Sequence, residues 1–118
     1  MLSSEASRRG GPAVAPGELN VVVSGGDASY ELRLLGELDM STASQLSDEL
    51  LRVTSGGARH VTVDLSDLMF IDSTGLSVLI TGLKHLRQGG GDLALRSPNP
   101  GTRKVLEITG LTEVFAIT

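Results

Sequence analysis

Strand-like and helix-like stretches alternate along this chain, and that alternation restricts its fold more than any other feature. Residues 21–23 form a short apolar run, followed by the turn signal Ser24-Gly25-Gly26-Asp27. Tyr30-Glu31-Leu32-Arg33-Leu34 alternates with period two, the mark of a strand with one buried face. These two strands read as a hairpin. Gly36-Glu37-Leu38-Asp39 breaks the alternation, and a helix is expected from Ser41 or Thr42, where Thr42 and Gln45 have the spacing of a capping box. Ala43, Leu46, Leu50 and Val53 then recur at helical intervals until Gly56-Gly57. Residues 60–65 read as a buried strand rich in β-branched side chains. A second helix opens at Asp72-Ser73-Thr74-Gly75, carries the stripe Leu76, Leu79, Ile80, Leu83, Leu86, and stops at Gly89-Gly90-Gly91. Residues 93–95 are a strand. Asn99-Pro100 starts a third helix that reaches Ile108, with Gly110 as its stop, and residues 114–117 are the last strand.

The order β-β-α-β-α-β-α-β implies right-handed crossovers and a mixed, mostly parallel sheet with an antiparallel edge. The expected fold is therefore a single α/β domain over residues 18–118. Residues 1–17 carry serines, glycines and prolines with almost no large apolar side chain, and are expected to be a disordered tail.

Composition removes several function classes. The chain has no cysteine, hence no disulfide, thiol nucleophile or thiolate metal site. Its net charge of −4 gives no broad footprint for nucleic acid. Tyr30, Phe70 and Phe115 lie too far apart in sequence to suggest a base-stacking platform. No apolar run approaches the ~18 residues that cross a bilayer, so no membrane partner is expected and a cytoplasmic location is. His60 and His85 have no metal-ligand spacing. Asp72-Ser73-Thr74-Gly75 has one residue too many for an aspartic-protease signature, Gly-x-Ser-x-Gly is absent, and the glycine run lacks a phosphate-loop ending. No enzyme activity and no cofactor are expected.

The informative segment is Phe70 to Leu76. Ser73 and Thr74 stand between a strand end and a helix start, near the positive end of a helix dipole, where free backbone N–H groups tolerate a phosphate. Gly75 is expected to keep the approach to these hydroxyls open. The plainer reading makes Asp72 or Ser73 a helix N-cap, worth ~1 kcal/mol; one residue can do both. Glu37 and Asp39 form an acidic spot in the preceding strand–helix loop. Such loops share one edge of a parallel sheet, which puts Asp39 beside Asp72 at the edge where α/β folds keep their function. Substitution of Asp39 is expected to touch binding more than stability.

Four segments taken in order, Gly36-Glu37-Leu38-Asp39, Val63-Asp64-Leu65-Ser66, Phe70-Ile71-Asp72-Ser73-Thr74-Gly75-Leu76, and Gly110-Leu111 before Phe115, resemble the STAS domain, and within it the bacterial anti-sigma factor antagonists. The likeness runs from about Asn20 to Thr118. The resemblance implies a protein that binds an anti-sigma factor with serine kinase activity and so frees a sigma factor. That kinase, using ATP and magnesium, would phosphorylate the serine after the aspartate, here Ser73, and a serine phosphatase would reset it. The resemblance also implies a partner-binding surface at Asp39, Asp72, Ser73, Thr74 and Gly75. The alternative within the same fold is a scaffold or transport-associated STAS domain that is never phosphorylated.

Overall fold

Leucine and valine at the alternating and helical positions meet in one layer between a sheet and its helices. The computed structural model describes residues 14–118, so residues 1–13 of the expected tail lie outside them. Among the described residues the strands are β1 (Leu19–Gly26), β2 (Ser29–Leu38), β3 (His60–Ile71), β4 (Asp92–Arg96) and β5 (Ala116–Ile117). The helices are α1 (Ala43–Ser55), α2 (Ser73–Gln88) and α3 (Pro100–Ile108), with a short 3-10 turn at Leu111–Glu113. The order is the expected one. The strands lie β1-β2-β3-β4-β5, antiparallel between β1 and β2 and parallel thereafter.

The pleat sorts side chains onto two faces. Leu32, Val63 and Leu95 are consecutive cross-strand partners and wholly buried. Onto this layer α1 brings Ala43, Leu46, Leu50 and Val53, and α2 brings Leu76, Leu79, Leu83 and Leu86. The next row, Arg33, Asp64 and Arg96, lies on the opposite face. There Arg96 pairs with Glu31 and Asp64, and Arg33 Nε donates to Asp67 at 2.9 Å. Burial pushes the Asp64 carboxyl up, but hydrogen bonds from Ser66 and the Arg96 guanidinium outweigh it and hold the group below the ordinary value.

Four local expectations are corrected. β2 runs on through Glu37 to Leu38, so Glu37 is a strand residue. β3 reaches Ile71, where residues 60–65 were expected. Two register shifts against β2, between Arg33 and Leu35 and between Gly36 and Glu37, break its pattern. The last strand is only Ala116–Ile117, because the N–H groups of Val114 and Phe115 both donate to Leu111 O, at 3.0 Å each, and leave the ladder. The capping box at Thr42 does not form: its hydroxyl donates to Glu37 O at 2.8 Å, and Gln45 Nε2 instead donates to Leu19 O at 3.1 Å. Asn99 behaves as expected, accepting from Thr102 N at 2.9 Å with Pro100 in the first turn.

Residues 14–17 make a turn against the end of β2. Gly17 N donates to Glu37 Oε2 at 2.7 Å. At Gly36, whose φ is +109°, an added Cβ would fall 2.1 Å from Glu18 O and 2.9 Å from the Val14 side chain. Only glycine fits there.

Candidate functional site

β2 and β3 are parallel neighbours that end level, with Leu38 paired to Ile71. Each then feeds a helix, so the two strand–helix connections emerge side by side. Asp72 joins them. Its N–H donates to Leu38 O at 3.2 Å. One carboxylate oxygen accepts from Gly75 N at 3.0 Å and caps α2; the other accepts from Met40 N at 3.2 Å. The plainer reading of Asp72 as an N-cap therefore holds, and the cap also ties down the neighbouring loop. Asp39 and Asp72 are brought together as expected.

Asp39 organises its own connection. One carboxylate oxygen accepts from Ser41 N at 2.9 Å, Ser41 Oγ at 2.8 Å and Thr42 N at 3.2 Å. The Ser41 hydroxyl does most to lower its pKa; burial opposes it, and the Ser41 and Thr42 N–H groups with Thr42's hydroxyl add to the lowering, so the group stays below its ordinary value. Asp39 is thus a negative charge at neutral pH and part of the loop's scaffold.

Ser73 is the exposed first residue of α2, and Thr74 behind it is half-buried. The two hydroxyls that spacing leaves equivalent therefore differ in access. Gly75 does not open a path to them. It is buried, and a Cβ there would stand 2.6 Å from Leu38 Cγ and 3.1 Å from Ile71 Cγ1. Its role is to let the first turn of α2 lie against the strand ends.

Residues 37–42 and 69–77 hold three carboxylates, those of Glu37, Asp39 and Asp72, and no Lys, Arg or His. Beside this acidic rim stand large apolar side chains in solvent: Met40 is 78% exposed, Met69 81% and Phe70 49%. Sequence reasoning passed over the two methionines. For Met40 the signal was an apolar residue set among polar neighbours in a strand–helix connection; Met69, between Leu68 and Phe70 within β3, carries no such local mark. Among the described residues no group of three or more His, Asp and Glu is placed to hold a metal ion. No helix among them is long and apolar enough to cross a membrane. The arrangement offers an exposed hydroxyl at a helix N-terminus, framed by fixed carboxylates and loose apolar side chains, which suits modification and protein contact.

Known proteins resemble this chain in sequence and fold. The family model described as "Mlab, STAS domain" matches residues 21–117. An anti-sigma-B factor antagonist of Staphylococcus aureus is 31% identical over 99 residues, 84% of this chain and 92% of that protein. The crystal structure of an anti-sigma factor antagonist from Mycobacterium paratuberculosis superposes with a TM-score of 0.79 at 28% identity, covering 89% of each chain. The unphosphorylated form of SpoIIAA, an anti-sigma factor antagonist of Bacillus, shares the fold with a TM-score of 0.73 at 23% identity, over 84% of this chain and 88% of that one.

Proposed function

The chain belongs to the STAS-domain family of anti-sigma factor antagonists, and from that premise we propose a phosphorylation switch centred on Ser73. In this reading the unphosphorylated chain, through a domain spanning residues 18–118, binds an anti-sigma factor that has serine kinase activity and thereby frees a sigma factor. Phosphorylation of Ser73 by that kinase ends the contact, and a serine phosphatase restores it. The chain acts in the cytoplasm as a binding protein and performs no catalysis of its own.

The observation that carries the reading is the exposure of Ser73 at the start of α2, beside the fixed carboxylate of Asp72. A phosphoserine adds about −1.5 to −2 charges at neutral pH. In the free chain the helix N-terminus accommodates that charge. In a contact fitted to a neutral hydroxyl it brings bulk, a hydration shell and repulsion from Asp72 and Asp39. Binding falls while the fold stays. Asp39, Asp72, Thr74 and Gly75 complete the contact: Asp39 by its charge, Asp72 by fixing both loops, Thr74 by its place behind the serine, and Gly75 by holding the helix start close.

Tandem mass spectrometry after treatment with the partner kinase, ATP and magnesium is the test. The expected phosphate is on Ser73. Ser73→Ala resists the kinase and still binds, whereas Ser73→Asp folds normally and binds poorly, in part only because it carries one charge. Phosphate on Thr74 overturns the site, and phosphate on neither residue favours the scaffold alternative.

A further inference from the structure

An open groove of about 360 Å³ lies between α1 and α2. Ser47, Leu50 and Leu51 line it from α1, and Thr74, Val78 and Thr81 from α2. Packing explains why it exists. The helices close on each other at Gly82, where a Cβ would stand 3.0 Å from Leu50 Cδ1. The small side chains of Ser47, Thr74 and Thr81 do not fill the space beside that contact. Leu51 forms one wall with 56% of its surface exposed.

The groove is continuous with the candidate site, for it begins at Thr74, the residue after Ser73, and runs to His85. That length is about three helical turns, or ~16 Å. Its lining recurs at four-residue steps (Ser47 and Leu51, Thr74 and Val78, Thr81 and His85), the spacing into which an i, i+4 ridge of another helix packs. At the Ser73 end, Asp39 and Asp72 supply negative charge without a nearby cation in either connection.

We propose that this groove seats an amphipathic helix of about three turns from the anti-sigma factor, its aliphatic i, i+4 face packed between α1 and α2 and a Lys or Arg set over Asp39. The inference rests on the antagonist reading and names the element of the partner that is gripped. A phosphate on Ser73 would close the mouth of the groove by its bulk and hydration, which links the switch to the seat.

The test uses the full chain with each purified anti-sigma factor kinase of the source bacterium, in ADP and magnesium. A benzophenone cross-linker at Thr81, an exposed position, is expected to map to one amphipathic helix of the kinase and to lose that product when Ser73 is phosphorylated. Thr81→Trp and Leu51→Gln, on opposite walls, are each expected to weaken binding by ~10-fold or more, the scale of an interface hot spot. Lys104→Trp on α3, which does not line the groove, is expected to change nothing, and all three variants keep the wild-type melting temperature. Wild-type affinity in both groove variants, alongside loss in Asp39→Asn, overturns the groove and leaves the antagonist reading standing. Cross-linking to a second copy of this chain also overturns it. A wild-type chain that binds none of the kinases overturns the antagonist reading, and the groove with it.

Discussion

Asp72 shows how much one carboxylate can fix. Its two oxygens serve two chain segments, capping α2 through Gly75 and holding Met40 of the other connection, 32 residues from Asp72 in sequence. Asp72→Ala is expected to cost ~1 kcal/mol for the cap alone, within the usual 0.5–2 range. Asp72→Asn keeps an acceptor for Gly75 but sets an amide against Met40 N–H, so its smaller loss falls on the first connection. Urea unfolding ranks the two, and equal costs would mean that the Gly75 cap contributes nothing and the whole loss falls on the Met40 contact. Asp39 adds a caution for binding assays. Because it accepts from Ser41 and Thr42, Asp39→Ala is expected to lower the melting temperature as well as partner affinity, while Asp39→Asn spares more of the loop and still loses the charge. A difference in affinity between wild type and Asp39→Asn therefore reads the charge itself.

At the scale of elements, close approach of α2 to the strand ends is the feature most sensitive to change. Gly75→Ala forces a methyl group against Leu38 and Ile71, and overpacking of this kind costs ~1–3 kcal/mol. Gly82→Ala meets only the tips of Leu50 and Leu93, at 3.0 and 3.4 Å, and is expected to cost less. Thermal unfolding of the two variants checks the order. The first two helices were legible in the sequence because Leu46, Leu50, Leu79 and Leu83 keep helical period without interruption, and α3 because Asn99-Pro100 starts it and Gly110 stops it. The far half of β3 was not. Its register shifts twice against β2, so Ser66, Asp67 and Met69 no longer alternate with buried residues as a regular strand would. The first turn of α1 was misread for another reason: the Thr42 hydroxyl donates to Glu37 O, five residues back in the same connection, and so does not cap the helix. Local spacing pointed to the Asp72-Ser73-Thr74 segment as a helix start but left Asp72 and Ser73 as rival caps and the two hydroxyls equivalent; the family resemblance singled out Ser73. The exposure of Met40 and Met69, and the groove between α1 and α2, depend on how separate elements pack, and no local pattern carries them.

For the whole molecule, the charged row on the open sheet face ties three strands together through Glu31, Arg33, Asp64, Asp67 and Arg96. Asp64 has a folded pKa below its ordinary value near 3.8. A depressed carboxylate stabilises the fold above its unfolded pKa, and that contribution is lost as pH falls through the folded pKa. The melting temperature is therefore expected to hold near neutrality and to drop as acid passes below about pH 4, where unfolded Asp begins to bind protons. Asp64→Asn is expected to flatten that acid limb, and an unchanged limb in circular-dichroism melts would assign it to other carboxylates. The strand order β1-β2-β3-β4-β5 carries a consequence for biosynthesis. Each strand pairs with the one made just before it, so the sheet can be laid down in the direction of translation. At ~5–20 residues per second the ribosome delivers the chain in roughly ten seconds. No early strand has to wait for a late one to be inserted beside it.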